Sequence, residues 1–182
     1  MAECIRKMII ENRVTKKRRT VPCGYCGNCR TNRRNAWTIR MHHEWRNSSS
    51  AIFLTMTYDP ESVPYTKDLK QTLSVRHVQL FLKRLRKEHA KVVPQVYPRK
   101  DHSLEALKTR VRYYFVGEYG PSTNRPHYHA LIFNLKNETV KKIPEIWTDS
   151  KNGSYRGFTK VGSVTPASIH YVTGYVLGTD PD

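Results

Sequence analysis

The segment His127-Tyr128-His129 places two imidazoles at alternate positions. In a β-strand such positions point to one face, so the rings converge while Tyr128 faces the other way. Two neutral imidazoles so arranged can share one cation. Glu118 closes the preceding strand-like run. Antiparallel pairing across the turn between them brings its carboxylate beside the imidazoles, within about 5 Å. Two nitrogens and one carboxylate oxygen on one side of a cation leave positions open for substrate oxygens. That mixed set suits Mn²⁺ or Mg²⁺ bound to phosphate better than a closed structural zinc. Further on stand Tyr171 and Tyr175. On a helix, residues four apart share a face, about 6 Å along the axis. Both phenols can then present to one metal-bound phosphate. A phenolate that attacks phosphorus keeps the ester energy in a covalent link, which water would discard.

A second cluster is made of thiols. Cys23, Cys26 and Cys29 lie in Cys23-Gly-Tyr-Cys26-Gly-Asn-Cys29, with Cys4 as a fourth ligand in reserve. In a reducing compartment the spacing reads as metal or redox chemistry before disulfides. Structural Zn²⁺, an iron–sulfur cluster and free thiols all remain open. No base stands nearby in sequence to make these thiols catalytic.

The elements that must position these residues can be read from period and punctuation. Residues 1–30 read as an irregular, basic segment. Residues 31–46 turn helical, with Trp37, Met41 and Trp45 on one face. Residues 51–58 are a β-rich run stopped by Asp59-Pro60. Ser74 caps an amphipathic helix over 75–90, whose buried stripe is Val75, Val78, Leu82 and Leu85, widened by Phe81. A short helix follows at 103–109. Strands at 110–119 and 127–135 flank the turn-rich Gly120-Pro121-Ser122-Thr123-Asn124-Arg125-Pro126 and predict an antiparallel hairpin. Residues 136–163 predict a short helix at 140–147 and a polar loop. A last helix starts at Thr165-Pro166 and runs to about residue 177. The pattern is α+β: a central antiparallel sheet with flanking helices, in one compact domain.

Charge identifies the partner class. Lys and Arg number 32 against 15 acidic residues, a net +17, and eleven of the basic residues fall in the first 40 positions. Such an excess resists compaction unless a polyanion is the usual partner, and nucleic acid fits best. Eleven Tyr and three Trp are interleaved and can stack on bases. The basic residues expected to meet the DNA are Lys16, Lys17, Arg18, Arg19, Arg33, Arg34, Lys83, Arg84 and Arg125. No apolar run reaches the roughly 18 residues of a membrane span. The first ten residues lack the layout of a signal peptide, so a soluble, cytoplasmic protein without a membrane partner is expected.

Taken in order, three segments carry a family resemblance. Phe53-Leu54-Thr55-Met56-Thr57-Tyr58 looks like the first motif of the HUH superfamily of rolling-circle initiators. Arg125-Pro126-His127-Tyr128-His129-Ala130-Leu131-Ile132-Phe133 looks like its metal motif, and Tyr171-Val172-Thr173-Gly174-Tyr175 resembles its paired tyrosines. More narrowly, the chain is similar to the replication initiators of microviruses, the gokushovirus-like single-stranded DNA phages. Those also carry a Pro-Cys-Gly-x-Cys-like cluster before a basic, Trp-containing helix, as Pro22 to Trp37 do here. Phe81-Leu82-Lys83-Arg84-Leu85-Arg86 and Gly117-Glu118-Tyr119-Gly120 fit the same group.

The resemblance implies an HUH endonuclease-like domain over 31–182 behind an N-terminal segment over 1–30. It implies about five antiparallel strands with the histidines on a central one. It also implies nicking of single-stranded origin DNA, a 5′-phosphotyrosine intermediate and a 3′-OH handed to the host replication machinery in the bacterial cytoplasm. A plasmid initiator, relaxase or transposase of the same superfamily is the nearest alternative. A non-catalytic single-strand-binding module is the alternative of another class. In one respect the chain departs from the pattern. Phage initiators often carry lysine just before the second tyrosine and three residues after it, where Gly174 and Gly178 stand here. Glycine inside a helix costs about 1 kcal/mol relative to Ala, so the helix is expected to bend or end early. Tyr171, nearer the helix start, is placed ahead as first nucleophile.

Overall fold

The computed structural model describes residues 2–93, 97–98, 100–149 and 153–175. The chain opens with a hairpin, β1 (Met8–Glu11) and β2 (Arg18–Val21), whose strands pair with each other and stay outside the main sheet. Helix α1 (Gly27–Asn47) leads to β3 (Ala51–Thr57), and α2 (Val75–Val92) and α3 (Leu104–Lys108) follow. The hairpin β4 (Arg112–Tyr119) and β5 (Pro126–Phe133) comes next, then α4 (Asn137–Lys141), α5 (Ile143–Ile146), β6 (Thr159–Ser163) and α6 (Pro166–Gly174). The main sheet is antiparallel throughout, in the order β4-β5-β3-β6. The histidine strand β5 is therefore interior, as the resemblance implied. Among the described residues this sheet has four strands rather than five. No described helix is long and apolar enough to cross a membrane.

Side-chain alternation divides the core into two layers. On one face Leu54, Met56, Tyr128, Ala130 and Ile132 pack against Phe81, Leu82 and Leu85 of α2 and against Ile143, Ile146 and Trp147. On the other, Leu131, Phe133 and Tyr114 pack against Met41 of α1 and against Ile169 and Val172 of α6. Each fully buried aliphatic side chain stabilises the fold by about 1.5–3 kcal/mol. Trp37 and Trp45 join Met41 on that second layer, so the helical face read from the sequence is the one α1 buries. Ser74 caps α2 by accepting from the His77 backbone N–H at 3.3 Å.

Several elements differ from the sequence reading, each for a physical reason. Residues 1–30 are not wholly irregular: β1 and β2 form by mutual pairing, and nearly all their residues are exposed, so no buried alternation marks them. The polar loop before the last helix contains β6, an edge strand whose residues Lys160 to Ser163 are exposed and which is held by its pairing with β3. Helix α1 begins at Gly27, inside the cysteine cluster, with Cys26 at its N-cap. Val75 is 73% exposed at the first position of α2, and buried His89 completes the stripe instead. The last helix ends at Gly174 with Tyr175 as C-cap, in keeping with the cost of an interior glycine. The further extension expected for it, to residue 177, lies outside the described residues, as does Gly178.

The segment after α5 is clamped to the end of β3. The Asp59 N–H donates to the Arg156 carbonyl at 2.7 Å, and the Thr57 N–H to Phe158 at 2.9 Å. Gly157 between them has φ +150°, and a Cβ there would lie 2.4 Å from the Thr57 carbonyl oxygen. That contact is with backbone and cannot relax cheaply. Gly157→Ala is expected to cost at least about 2 kcal/mol in urea unfolding; a variant of unchanged stability would contradict this packing.

Candidate metal and tyrosine site

The site is assembled by register. Glu118 of β4 pairs directly with His127 of β5, and His129 pairs with Val116 on one side and Thr55 of β3 on the other. All these residues share the α6 face of the sheet. The Oε2 atom of Glu118 lies 3.3 Å from Nε2 of His127 and 3.4 Å from Nε2 of His129. The three side chains are largely enclosed, and their ligand atoms all lie within 4.8 Å of one another.

Each ring is held by its other nitrogen. His127 donates from Nδ1 to the Arg125 carbonyl at 3.0 Å, which leaves Nε2 with its lone pair toward Glu118. Nδ1 of His129 is 3.0 Å from the Thr55 hydroxyl, and the ring stacks on Phe53 with centroids 5.5 Å apart. Such partners fix tautomer and ring orientation in metal-ligating histidines. Burial, with the neighbouring His127, lowers the pKa of His129, against the opposing pull of Glu118. Its imidazole therefore stays neutral, the form that ligates a cation. The donor set fits a divalent cation: two imidazole nitrogens and a carboxylate converge, with phenols rather than further ligating groups on the remaining side.

Those phenols belong to α6. The capping box of Thr165 and Ser168, with Pro166 in the first turn, fixes where the helix starts. The Tyr171 hydroxyl donates to Oε2 of Glu118 at 3.1 Å and lies 3.4 Å from Nε2 of His129. Tyr175 donates to the other carboxylate oxygen, Oε1, at 2.7 Å. The two rings meet edge to face with centroids 5.1 Å apart. Burial raises the pKa of both phenols; at Tyr175 the neighbouring Tyr171 and Glu118 add to the effect, and at Tyr171 Glu118 pushes the same way. Both therefore carry their protons beside the carboxylate.

Helix α1 braces α6 from behind. Thr38 and Thr173 share a hydroxyl hydrogen bond of 2.8 Å, and the Arg34 guanidinium contacts the His170 ring. A Cβ on Gly174 would meet that guanidinium at 3.9 Å. Arg34 thus stands over the position where a lysine was expected from the resemblance. Sequence reasoning assigned no role to Phe53, to Thr55 or to the contact of Arg34 with α6. For Thr55 a signal existed: its strand must pair with the histidine strand.

The remaining candidates divide by location. Cys4, Cys23, Cys26 and Cys29 come together at the start of α1. Lys16, Lys17, Arg18 and Arg19 are exposed on the β1–β2 hairpin, with Arg18 paired to Glu11 at 3.0 Å. Arg33 donates to the Gly24 carbonyl at 3.1 Å. Arg125 reaches the Tyr58 carbonyl, and its own carbonyl holds His127. Lys83 and Arg84 lie on α2, across the sheet from the histidines and tyrosines. Arg84 donates to the Thr148 carbonyl at 2.7 Å and ties α2 to the end of α5.

Comparison with known proteins agrees with this arrangement. The family model for replication-associated protein ORF2 matches residues 51–180. The replication-associated protein VP4 of Bdellovibrio phage phiMH2K is 32% identical over 182 residues, covering 88% of this chain and 50% of that protein. The replication-associated protein ORF2 of Spiroplasma virus 4 is 28% identical, covering 86% and 47%. The replication-associated protein ORF4 of Chlamydia phage 1 is 25% identical, covering 86% and 37%. The chain spans half or less of the length of these curated relatives. No solved structure matches it. The matched region runs from the start of β3 past α6 and holds both histidines, the glutamate and both tyrosines, and the chain belongs to the family of replication-associated protein ORF2.

Proposed function

We propose that the protein nicks and rejoins single-stranded DNA at a phage replication origin by tyrosine transesterification, with Mn²⁺ or Mg²⁺ as cofactor. One observation carries the reading: the Glu118 carboxylate meets both imidazoles through one oxygen and a phenol through each. A DNA-binding surface alone has no use for that convergence. His127, His129 and Glu118 would hold the cation, which when bound polarises the scissile phosphate and offsets charge on its non-bridging oxygens.

The chain's own residues then do the rest. The phenol oxygen of Tyr171 attacks phosphorus, a tyrosyl–phosphate bond forms, and the bond to the 3′ oxygen breaks. The 3′ oxygen leaves with a proton as the 3′-OH that host replication enzymes extend. The phenolic proton passes toward Glu118, which already accepts its hydrogen bond. The phosphodiester energy stays in the 5′-phosphotyrosine, so a returning 3′-OH can reverse the step. Tyr175, bonded to the other carboxylate oxygen, is placed for a second transfer. Tyr171 acts first, since its hydroxyl sits on the imidazole side of the carboxylate and its side chain is 43% exposed. The basic hairpin, with Arg33, Arg34 and Arg125, supplies phosphate contacts that hold the strand without reading its sequence. These reactions take place in the cytoplasm of the bacterial host.

Incubation with labelled single-stranded origin DNA and Mn²⁺, resolved on a denaturing gel, should give a protein–DNA adduct that EDTA prevents. Tyr171→Phe with Tyr175→Phe should abolish the adduct and leave DNA binding nearly intact; an adduct surviving in the double variant would overturn the nucleophile assignment. Thr55→Val keeps the β-branched shape but removes the hydroxyl beside His129. It should weaken Mn²⁺ binding about 10-fold by calorimetry; unchanged affinity would show that Thr55 does not orient the ring.

A further inference from the structure

All four cysteines of the chain meet in one cluster away from the histidine site. The Sγ atoms of Cys4 and Cys23 are 3.6 Å apart, those of Cys23 and Cys29 3.9 Å, and those of Cys26 and Cys4 3.9 Å. None forms a disulfide, which would bring two sulfurs to about 2.05 Å. Four thiolates around one tetrahedral zinc, at the usual ~2.3 Å, stand about 3.8 Å from one another. The observed spacings bracket that value. A cluster of several irons needs a wider cage between its thiolates.

The local backbone builds the cage. Gly24, at φ +86°, turns the chain between Cys23 and Cys26, and Arg33 secures the turn through the Gly24 carbonyl. The Cys23 N–H points at Sγ of Cys4 at 3.3 Å, and the Cys26 N–H at Sγ of Cys23 at 3.4 Å. Cys26 is the N-cap of α1, and one helical turn brings buried Cys29 back beside it, so a spacing that looks tight in sequence closes in space. The helix has no side-chain cap and no acidic residue in its first turn. Anionic sulfurs are what face its positive end. Cys4 arrives from a segment fixed to α1 by Asn28 on the Glu3 carbonyl and Asn32 on the Ala2 carbonyl, both at 2.6 Å.

We infer that Cys4, Cys23, Cys26 and Cys29 bind one Zn²⁺ as a tetrathiolate that ties the N-terminal hairpin to the start of α1. Binding releases the thiol protons to solvent. The hairpin needs such a tie: β1 and β2 pair only with each other, and β1 is exposed along its whole length. The zinc therefore sets where Lys16, Lys17, Arg18 and Arg19 stand relative to the body. This site is independent of the nicking reaction and stands or falls without it.

The test uses the whole chain, purified under reducing conditions without chelator. Elemental analysis should find one zinc per chain and no iron. Replacement by Co²⁺ should give the thiolate-to-cobalt charge-transfer band and the intense visible bands of a tetrahedral thiolate site. That charge-transfer band should vanish in Cys26→Ser and persist in His129→Ala, which separates the cluster from the histidine site. Removing zinc from the wild type should expose residues in the 1–30 segment to protease while β3 to α6 stays protected. Iron in place of zinc, or four thiols that react freely with zinc present and no cobalt charge-transfer band, would overturn the assignment.

Discussion

The pairing of Glu118 with His127 across β4 and β5 is the constraint on which the rest of the site depends. Strand residues alternate between faces, so a slip of one residue would carry Glu118 to the α2 side and leave the imidazoles without a carboxylate. The register is locked by burial on both faces: Leu131 and Phe133 cannot exchange places with Ala130 and Ile132 without emptying one layer and crowding the other. The hydrophobic layers thus hold a polar cluster that gives them little stability in return. β5 is interior, with β4 on one side and β3 on the other, so its histidines are held from both sides, by Glu118 and by Thr55.

The second requirement is a helix that brings phenols to that carboxylate. Helix α6 is short, and its position is set at its start by the capping box, along its length by Ile169 and Val172 in the core, and from behind by α1. Gly174 lets the Arg34 guanidinium lie close against the helix just before Tyr175. A cation from α1 therefore stands next to the tyrosine helix, in a chain without lysine at that position. Both phenols keep their protons while buried beside an anion. In the proposed reaction, positive charge from a cation at the histidines is what makes either one a nucleophile.

The cluster was legible in the sequence because each part obeys a short-range period. Two residues separate the histidines on a strand, four separate the tyrosines on a helix, and one turn-rich connector separates Glu118 from His127. The α+β class followed from the same periods. What escaped was structure without a buried pattern: β1, β2 and the exposed edge strand β6 are made by pairing alone. The start of α1 was hidden because its first turn is made of cysteine, glycine and asparagine. Charge was the least informative at residue level. Lys83 and Arg84 are as basic as Arg33 and Arg34, yet α2 packs on the opposite face and Arg84 binds carbonyls there. Composition states that a polyanion is the partner; only the fold states which basic residues share a face with the tyrosines.

The central claim is that His127, His129 and Glu118 form one divalent-cation site. Pulsed EPR of the protein loaded with one equivalent of Mn²⁺ tests it most directly, because it detects imidazole nitrogen bound to the metal. The account predicts coupling to two histidine nitrogens, reduced to one in His127→Ala. Mn²⁺ bound without nitrogen coupling, or with coupling unchanged in that variant, would contradict it.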